Sequence, residues 1–572
     1  MAHLPEEVVE TIIAKLTSNR DRNSASLVSK SWYSVDRDSR RAVYVGNCYA
    51  LSPERAIRRF PMLRSLTLKG KPSISDSRLL PNNWGGSVDP WIEVLSNNCP
   101  SLEKLRLKRM VVSDRSLQLI PISFPCFKSL ILNSCSGFTI SGLTAIASNC
   151  SMLEEFELEK SDVTDNSGGE WLSNFPESLC SLTSLNISSI RGLMNPTDLE
   201  QLVTRSPNLT RLTLNITTTS DTIRRILLKA PQLTHLGAGS NNPQLQINLY
   251  TLLASSFHKC KSIKSLALFH LIPPILLRSI YPICPNLVHL NLRCVVAGIQ
   301  SLDLIRFIKN CPNLQRLSIL DTIGDAGLQV VSHTCKNLQE LKIYHGRTVV
   351  GVTDIGLTAI STGCQNLRSL TYLCTRMTNT ALITFSKNCS STTCFKLTML
   401  IPKQPDHTTQ QPLDDGFRAI VQSFKDLRKL TLAGLLTDQV FLYIGMYAEK
   451  LEELSVLRAG ESDAGMQYVF NGCKNLRKVE IIDCPFGNGV LSSGLFEESG
   501  CMRWLWMSSC RTTLGGCKMI AQRKESLNVE IITKNGDMEG DYPDDGLKVD
   551  KVYMYQALDG PRADASPHVW TL

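Results

Sequence analysis

Lysine and arginine side chains recur inside short apolar stretches, and their spacing points to chemistry more directly than any other feature. Lys342 lies between Leu341 and Ile343, and Lys396 lies between two apolar residues in the same way. In a strand, successive side chains point to opposite faces, so leucines on one face leave the intervening residues on the other. The pattern predicts cations on one exposed face, where lysine and arginine bind phosphate as a point charge and as a fork respectively.

Cations occupy equivalent strand positions along the whole chain. We predict that a polyanion is bound by Lys69, Lys108, Arg109, Lys342, Lys396, Lys429, Arg477, Lys478 and Arg503. Two such charges about 6 Å apart repel by roughly 3 kcal/mol at an effective dielectric near ~20. A polyphosphate would neutralise them if the strands curve enough to bring them together. The alternative interpretation is a set of solvated surface cations.

Motifs for catalysis are absent from the sequence. There is no GxxxxGK[ST] loop, no HExxH helix and no G-x-S-x-G elbow. Histidines such as His235, His333 and His407 stand singly. We therefore predict a protein that binds rather than an enzyme.

A repeated unit of strand, turn and helix must position the cations. The segment CPNLQRLSIL, which begins at Cys311, is answered 24 residues later by CKNLQELKIY. Between them, residues 325–331 have the apolar spacing of one helix face. The strand pattern Leu-x-x-Leu-x-Leu/Ile is that of a leucine-rich repeat, whose stacked copies bury one continuous core. The predicted fold class is α/β, a solenoid of parallel strands and outer helices.

The repeat divides the chain into three predicted domains, with bounds 1–46, 47–520 and 521–572. Strand signatures begin at Leu63, Leu102, Leu153, Leu182, Leu209, Leu233, Ile263, Leu287, Leu314, Leu338, Leu367, Leu427, Leu451 and Leu476. Insertions at 72–90 and 401–412 are predicted to form loops on one face. The final domain loses the repeat and is predicted to be a cap with an acidic loop at 536–546.

Composition excludes several classes of protein. The chain has 572 residues, a net charge of +9 and no run of eighteen apolar residues, so we expect a soluble intracellular protein without a membrane span or signal peptide. Many of the 20 cysteines precede a strand signature, which favours buried structural thiols over metal ligands. The members of this cysteine position are Cys99, Cys150, Cys284, Cys311, Cys335, Cys364 and Cys473.

Residues 4–45 do not fit the repeat and have the spacing of a small helical cluster. Their order of LPxE, an apolar helix, a polar break and SLVxxxWY resembles the F-box, which docks ubiquitin-ligase substrate receptors onto a Skp adaptor. The resemblance is carried by Leu4, Pro5, Ile13, Leu27, Val28 and Trp32, which we expect to bind the adaptor. A helical cap of the solenoid is the alternative.

Over nearly its whole length the chain resembles the plant auxin-receptor F-box family, the transport-inhibitor-response and auxin-signalling F-box proteins. The segments that carry this resemblance include residues 21–24, 46–50, 58–61, 68–72, 84–86, 107–112, 434–438, 483–487 and 505–510. The resemblance implies a nuclear protein with an F-box at 1–46 and a closed horseshoe of repeats. It also implies inositol hexakisphosphate as cofactor on the nine predicted cations, with a Skp adaptor and cullin-RING ligase as partners.

The same resemblance implies a surface pocket in which auxin lies beneath a degron peptide of a transcriptional repressor. Matching positions here are Ser73, Ile74, Ser77, Leu373, Lys396, Leu397, Thr431, Ser455, Val456 and Glu480. The aromatic side chains that the family has around the first three positions, Ser73, Ile74 and Ser77, are absent here. At Lys396, lysine replaces the arginine that binds the hormone carboxylate in the family, so a bidentate ion pair is lost. We expect auxin affinity to be lower by about two to three decades, or absent.

Three functions follow as hypotheses. The leading one is a non-catalytic substrate receptor of an SCF-type ubiquitin ligase that directs repressor-type proteins to degradation. The second is an inositol-phosphate-dependent interaction scaffold without a ligase role. Nucleic-acid binding is disfavoured, because few aromatic residues are interleaved with the cations for base stacking.

Overall fold

The fold was analysed in a computed structural model of the chain. The structure describes residues 4–70, 86–165, 171–237, 247–267, 274–293, 301–346, 351–401, 404–492, 500–524, 527–534 and 549–572. The predicted insertion at 72–90 lies mostly outside these residues, as does the acidic segment 536–546. Pro90, which we had placed in the insertion, instead lies in the first turn of a helix, where proline's missing N–H costs nothing.

Helices alternate with strands along the described chain. The first four are α1 (Glu6–Lys15), α2 (Asn19–Ser26), α3 (Lys30–Ser39) and α4 (Pro53–Arg59). The next eight are α5 (Asp89–Asn98), α6 (Asp114–Ser123), α7 (Ile140–Asn149), α8 (Pro196–Arg205), α9 (Ser220–Lys229), α10 (Ile247–Lys259), α11 (Pro274–Ile280) and α12 (Ser301–Ile308). The remainder are α13 (Gly324–Thr334), α14 (Asp354–Gly363), α15 (Asn379–Asn388), α16 (Asp414–Ser423), α17 (Asp438–Tyr447), α18 (Asp463–Gly472), α19 (Asn488–Ser492) and α20 (Leu514–Arg523).

Strands of the first half are β1 (Ala42–Val45), β2 (Ser65–Lys69), β3 (Lys104–Lys108), β4 (Ser129–Asn133), β5 (Ser136–Phe138), β6 (Glu155–Glu159), β7 (Asp162–Val163), β8 (Ser184–Asn186), β9 (Arg211–Thr213), β10 (His235–Gly237), β11 (Ser265–Ala267) and β12 (His289–Asn291). Those of the second half are β13 (Arg316–Leu320), β14 (Glu340–Tyr344), β15 (Ser369–Cys374), β16 (Cys394–Met399), β17 (Lys429–Ala433), β18 (Glu453–Leu457), β19 (Lys478–Ile482), β20 (Trp504–Ser508), β21 (Asn528–Lys534), β22 (Val549–Tyr555) and β23 (Val569–Thr571).

The chain forms two compact units, residues 1–217 with 557–566 and residues 218–556 with 567–572. In the first unit, β1, β2, β3, β4, β6, β8 and β9 pair in that order, all parallel. In the second unit, β10 to β21 pair consecutively and in parallel. At the end of this series, β22 pairs antiparallel with β21 and parallel with β23. The predicted α/β class and its parallel repeat strands are confirmed.

Alternating leucines build the core because each strand buries one face against its helix. Leu317, Ile319, Leu341 and Ile343 have no exposed surface, and Leu328 of α13 is equally buried. Full burial of such a side chain contributes roughly 1.5–3 kcal/mol. Stacking repeats multiplies this contribution, whereas a single unit has no partner to cover the face.

Polar groups at the helix starts tie each repeat to the next. The Asp325 carboxylate at the start of α13 accepts hydrogen bonds from the Thr353 backbone N–H (2.8 Å) and hydroxyl (2.6 Å). The Asp114 carboxylate accepts the same pair from Thr139, at 2.8 and 2.6 Å. Since Thr139 and Thr353 are the N-caps of the following helices, these bonds fix the spacing between neighbouring helices.

The repeated cysteines are structural, as predicted. The thiol of Cys335 donates to the Cys311 carbonyl oxygen at 3.5 Å, and that of Cys364 donates to the Cys335 carbonyl oxygen at 3.5 Å. Burial raises the pKa of Cys335 to about 12 and that of Cys364 to about 11. Both thiols therefore stay protonated and unreactive near neutral pH.

The predicted list of strand signatures omitted β4, β16 and β20 of the long parallel series, as well as the short β1, β5 and β7. Of these, β16 was indicated only by the position of Lys396 between two apolar residues. In β4 and β16 a phenylalanine replaces a leucine of the signature, as Phe127 and Phe395. Both rings are buried to the same extent as the leucines that they replace. The strand signature therefore specifies a buried apolar side chain rather than leucine.

Candidate functional site

Polar side chains of the second unit form two rows across its parallel strands. The first row, in register, contains Lys342, Thr371, Lys396, Thr431, Ser455, Glu480 and Trp506. The second contains Glu340, Ser369, Cys394, Lys429, Glu453, Lys478 and Trp504. Because neighbouring strands are about 4.8 Å apart, residues adjacent in a row can bind one ligand together.

Three of the predicted cations in these rows have carboxylate partners that the sequence analysis did not identify. Lys429 pairs with Glu453 at 2.7 Å, Lys342 pairs with Glu340, and Lys478 pairs with Glu480. The sequence indicates two of these ion pairs, because Glu340 and Glu480 each lie two residues from their lysine in the same strand. The rows therefore contain carboxylates as well as cations.

These ion pairs leave the lysines available to a stronger anion. The side chains of Lys342, Lys429 and Lys478 are 36%, 45% and 33% exposed. Exposed pairs of this kind contribute only about 0–1 kcal/mol, because water screens them. A ligand with several phosphates would therefore replace the carboxylates at small cost.

Lys396 and Arg477 differ from these lysines. Among the residues that the structure describes, neither side chain has an ion pair or hydrogen bond, and both are partly exposed. Thr371 and Thr431 flank Lys396 in its row. Arg503 uses its guanidinium within its own turn, donating to the carbonyl oxygens of Gly500 (3.0 Å) and Met502 (2.8 Å).

The remaining three predicted cations lie in the first unit. Lys69 and Lys108 are in register on β2 and β3. Arg109 follows β3 in a left-handed conformation with φ of 54°, and it is 5% exposed. Burial raises the pKa of the Tyr44 phenol, and the positive charge of Arg109 partly opposes this effect, which places the two groups close together. That these three cations and the six of the second unit bind one polyanion stays a prediction.

The predicted hormone-pocket residues are only partly brought together. Lys396, Thr431, Ser455 and Glu480 share the first row, and the Ser455 hydroxyl donates to the Glu480 carboxylate at 2.6 Å. Leu373 is partly exposed on β15, two residues from the row.

The other pocket positions do not join this group. Leu397 and Val456 have no exposed surface and point into the core between sheet and helices, because side chains alternate along a strand. Ser73, Ile74 and Ser77 lie outside the described residues.

At the N-terminus, α1, α2 and α3 form a small bundle. Val9, Ile13 and Val35 make its buried core, and Trp32 packs against them. Our expectation that Ile13 binds an adaptor is wrong, because its side chain has no exposed surface and holds α1 against α3. Trp32 has a similar packing role on its inner side.

The other predicted adaptor residues form an exposed apolar surface. Leu27 is 83% exposed, Val28 is 65% exposed and Leu4 is 44% exposed, while Pro5 caps the start of α1. Val8 on α1 is 41% exposed as well. Leu27 and Val28 lie in the turn between α2 and α3, where hydrophobic exposure has no benefit for the isolated chain.

A buried carboxylate joins this bundle to the first repeat. Asp36 on α3 is fully buried and pairs with Arg22 (3.2 Å), Arg40 (3.0 Å) and Arg59 (3.0 Å). Arg59 belongs to α4, and its guanidinium also stacks on the Tyr33 ring at 3.5 Å. The network ties α2, α3 and α4 together.

The segment 557–566 packs on the first repeats of the same unit, and we call it the C-terminal strap. Arg562 pairs with Asp564 at 2.7 Å and donates to the Ser87 carbonyl oxygen at 2.8 Å. The Asp564 carboxylate accepts from the Ser87 N–H at 2.8 Å. The pair therefore satisfies both backbone groups of Ser87.

The described residues contain neither a metal centre nor a membrane-spanning helix. No group of three or more histidine, cysteine, aspartate or glutamate side chains could hold a metal ion among them. Within the same residues, no helix combines the length and the apolar character that crossing a membrane requires.

Comparison with known proteins decides the family. Residues 1–42 match the F-box model, and residues 61–107 match the Transport inhibitor response 1 protein domain. A Transport inhibitor response 1-like protein of Oryza sativa subsp. japonica is 48% identical over 575 residues, covering 100% of both chains. The chain belongs to the transport-inhibitor-response family of F-box proteins.

More distant members of the family align equally completely. GRR1-like protein 1 of Arabidopsis thaliana is 43% identical, covering 99% of this chain and 97% of that protein. Coronatine-insensitive protein 1 of Arabidopsis thaliana is 30% identical, covering 99% and 96%. Proteins of this F-box family are substrate receptors of SCF ubiquitin ligases that bind a Skp-type adaptor, and they are generally not catalytic.

Proposed function

We propose that this chain selects repressor-type proteins for an SCF ubiquitin ligase, with its exposed F-box surface holding the Skp adaptor of a cullin-RING complex. The observation that carries this proposal is the exposure of Leu27 (83%) and Val28 (65%) beside the well-packed core of the bundle. Burying two such side chains contributes about 1.5–3 kcal/mol each. An adaptor supplies that burial.

Charge substitution at this surface tests the proposal. The double variant Leu27→Asp with Val28→Asp should lose co-purification with a Skp adaptor, because both carboxylates would be desolvated at the interface. Its melting temperature should stay close to that of the wild type, since neither side chain packs in the core. Exposed Leu193, which is 81% exposed, provides a matched control as Leu193→Asp. Retained adaptor binding by the double variant would refute the proposal.

Inositol hexakisphosphate is the cofactor that we propose for the charged rows. In the second unit, Lys342, Lys396, Lys429, Arg477 and Lys478 would hold its phosphates, and weakly paired lysines beside the unpaired Lys396 support this assignment. Arg503 would also bind a phosphate once its guanidinium releases the carbonyl oxygens of Gly500 and Met502. In the first unit, Lys69, Lys108 and Arg109 supply further charge. When bound, the polyphosphate neutralises these cations and so stabilises the repeats.

Hormone sensing is proposed to be weak or lost. Lys396 offers a carboxylate a single ammonium group where an arginine offers a two-pronged fork. Calorimetry with indole-acetic acid and a degron peptide should show hormone-dependent binding no tighter than about 10⁻⁴ M, and micromolar binding would overturn this expectation.

An inositol-phosphate-dependent scaffold without a ligase role is the second candidate. It is favoured by the charged rows alone, which do not depend on the F-box. Phosphate that co-purifies with a chain unable to bind any Skp adaptor would support it over the receptor. We propose the nucleus as the compartment for either role, which a fluorescent fusion of the full chain would test.

A further inference from the structure

A groove in the first unit lies between the F-box bundle and the first repeat. Its walls come from Tyr33 and Arg37 of α3, from the α4 residues Arg55 and Arg58, and from Leu558 of the C-terminal strap. The cavity has a volume of about 890 Å³. A second cavity of about 380 Å³ also contains Arg37 and Arg58 and extends the groove toward α5.

Positive side chains outnumber negative ones in this groove. Four arginines line the larger cavity, against the carboxylates of Glu54 and Asp559. Arg55 pairs with Asp559 at 3.0 Å, and Arg59 pairs with Asp36 at 3.0 Å, a carboxylate that it shares with Arg22 and Arg40. Arg58 has no side-chain partner among the described residues.

The guanidinium of Arg37 also has few polar partners among the described residues. Its only side-chain hydrogen bond within the described part of the chain runs from Nε to the Arg58 carbonyl oxygen at 3.4 Å, and it has no ion pair there. Glu54 is exposed and lacks a described partner too, so one carboxylate faces two uncompensated guanidinium groups. The groove thus keeps an excess of positive charge that the described residues do not neutralise.

Apolar surface accompanies this charge. Tyr33 is 46% exposed and Leu558 is 62% exposed, and both line the cavity. Cations beside exposed apolar groups suit a peptide that carries acidic side chains together with an aromatic or aliphatic one. A simple anion would leave the apolar walls in water.

We propose that this groove binds an acidic segment of the adaptor that sits on the F-box, so that the adaptor contacts the first repeat as well as α1 to α3. The groove and the proposed docking surface share α3, because this helix begins two residues after the exposed Val28 and carries the groove residue Tyr33 in its first turn. This inference rests on the proposed receptor function. It adds that the first repeat and the strap, and not the F-box alone, determine how tightly the adaptor is held.

Charge reversal provides the first test, using calorimetry of the full chain with a Skp adaptor. The double variant Arg37→Glu with Arg58→Glu should bind about tenfold more weakly and lose most of the salt dependence, since charges at an interface rim act chiefly through long-range attraction. Arg115→Glu with Arg191→Glu is the matched control, because both are exposed arginines outside the groove with the same change in net charge. Equal affinity of the groove double variant and the wild type would refute the proposal.

Site-specific photo-crosslinking provides the second test and does not depend on affinity. A benzophenone amino acid at position 558 should cross-link to the adaptor, and mass spectrometry should locate an acidic peptide. A label at position 27 reports on the F-box surface in parallel. Cross-links at 27 without any adaptor cross-link at 558 would overturn the groove proposal alone. Absence of adaptor binding by the wild-type chain would instead overturn the receptor function on which it rests.

Discussion

Substitution of Asp36 should release the F-box bundle from the first repeat. The Asp36 side chain is 1% exposed and is held by Arg22, Arg40 and Arg59, whose side chains are 16%, 6% and 16% exposed. Asp36→Ala leaves three guanidinium groups together without their carboxylate. Removing one partner from a buried ion pair costs about 3–5 kcal/mol.

The remaining contacts of the F-box bundle cannot compensate for the loss of this ion-pair network. Its own buried core consists of Val9, Ile13 and Val35 with the partly buried Trp32, so the arginine network provides much of its attachment. A cost of about 3–5 kcal/mol corresponds to roughly two to three and a half decades in the local opening equilibrium. The rest of the chain should be unaffected, because the network lies wholly within α2, α3 and α4.

Hydrogen exchange with mass spectrometry on the full chain measures this directly. Peptides from α2 and α3 should exchange about 10²- to 10³-fold faster in Asp36→Ala, while peptides from α17 and α18 keep their wild-type rates. Asp38→Ala is the matched control, because Asp38 is exposed on the same helix and, within the described part of the chain, its carboxylate accepts a hydrogen bond only from the Ser34 hydroxyl, at 3.4 Å. Unchanged exchange in α2 and α3 of Asp36→Ala would refute the reasoning.

Three further predictions concern the charged rows, the cysteines and the strap. Lys396→Glu should weaken binding of inositol hexakisphosphate by about tenfold in calorimetry, whereas Lys387→Glu, an exposed lysine on α15, should not; equal losses would contradict the assignment. Burial raises the pKa of thiols such as Cys335 and Cys473 from 9.0 to about 12, so they keep their proton in the folded state. The free energy of unfolding should therefore be highest below pH 9, and above pH 9 it should fall by about 1.4 kcal/mol per thiol for each pH unit. Thermal melts between pH 8 and 10 check this, and a flat profile would be inconsistent with it. Asp564→Ala should make the strap sensitive to limited proteolysis, because it leaves the Arg562 guanidinium, which is 12% exposed, without its carboxylate and the Ser87 N–H without its acceptor; an unchanged digestion pattern would count against this role.

The fold was predictable because it depends on a pattern that repeats. The spacing of Leu314, Leu317 and Ile319 defines β13 and its burial without any knowledge of neighbouring strands. The phenylalanines of β4 and β16 are buried like leucines but break the leucine pattern, which is why the list of strand signatures omits both strands. Burial is selected by size and apolarity, and a signature written in leucines captures only part of that requirement.

The site was less predictable, because it depends on contacts between repeats. Glu453 neutralises Lys429 from the next strand, 24 positions along the chain, and a single-strand pattern does not contain that information. Ile13 illustrates a second limit. Its apolar character fits both a docking surface and a core, and only the packing of α3 against α1 shows that it belongs to the core.

Binding of the full-length chain to a purified Skp adaptor, followed by light scattering during size exclusion, tests the central claim most directly. A substrate receptor of an SCF ligase should elute with the adaptor as a stable one-to-one complex. Elution of the two proteins as separate species at micromolar concentration would contradict the account.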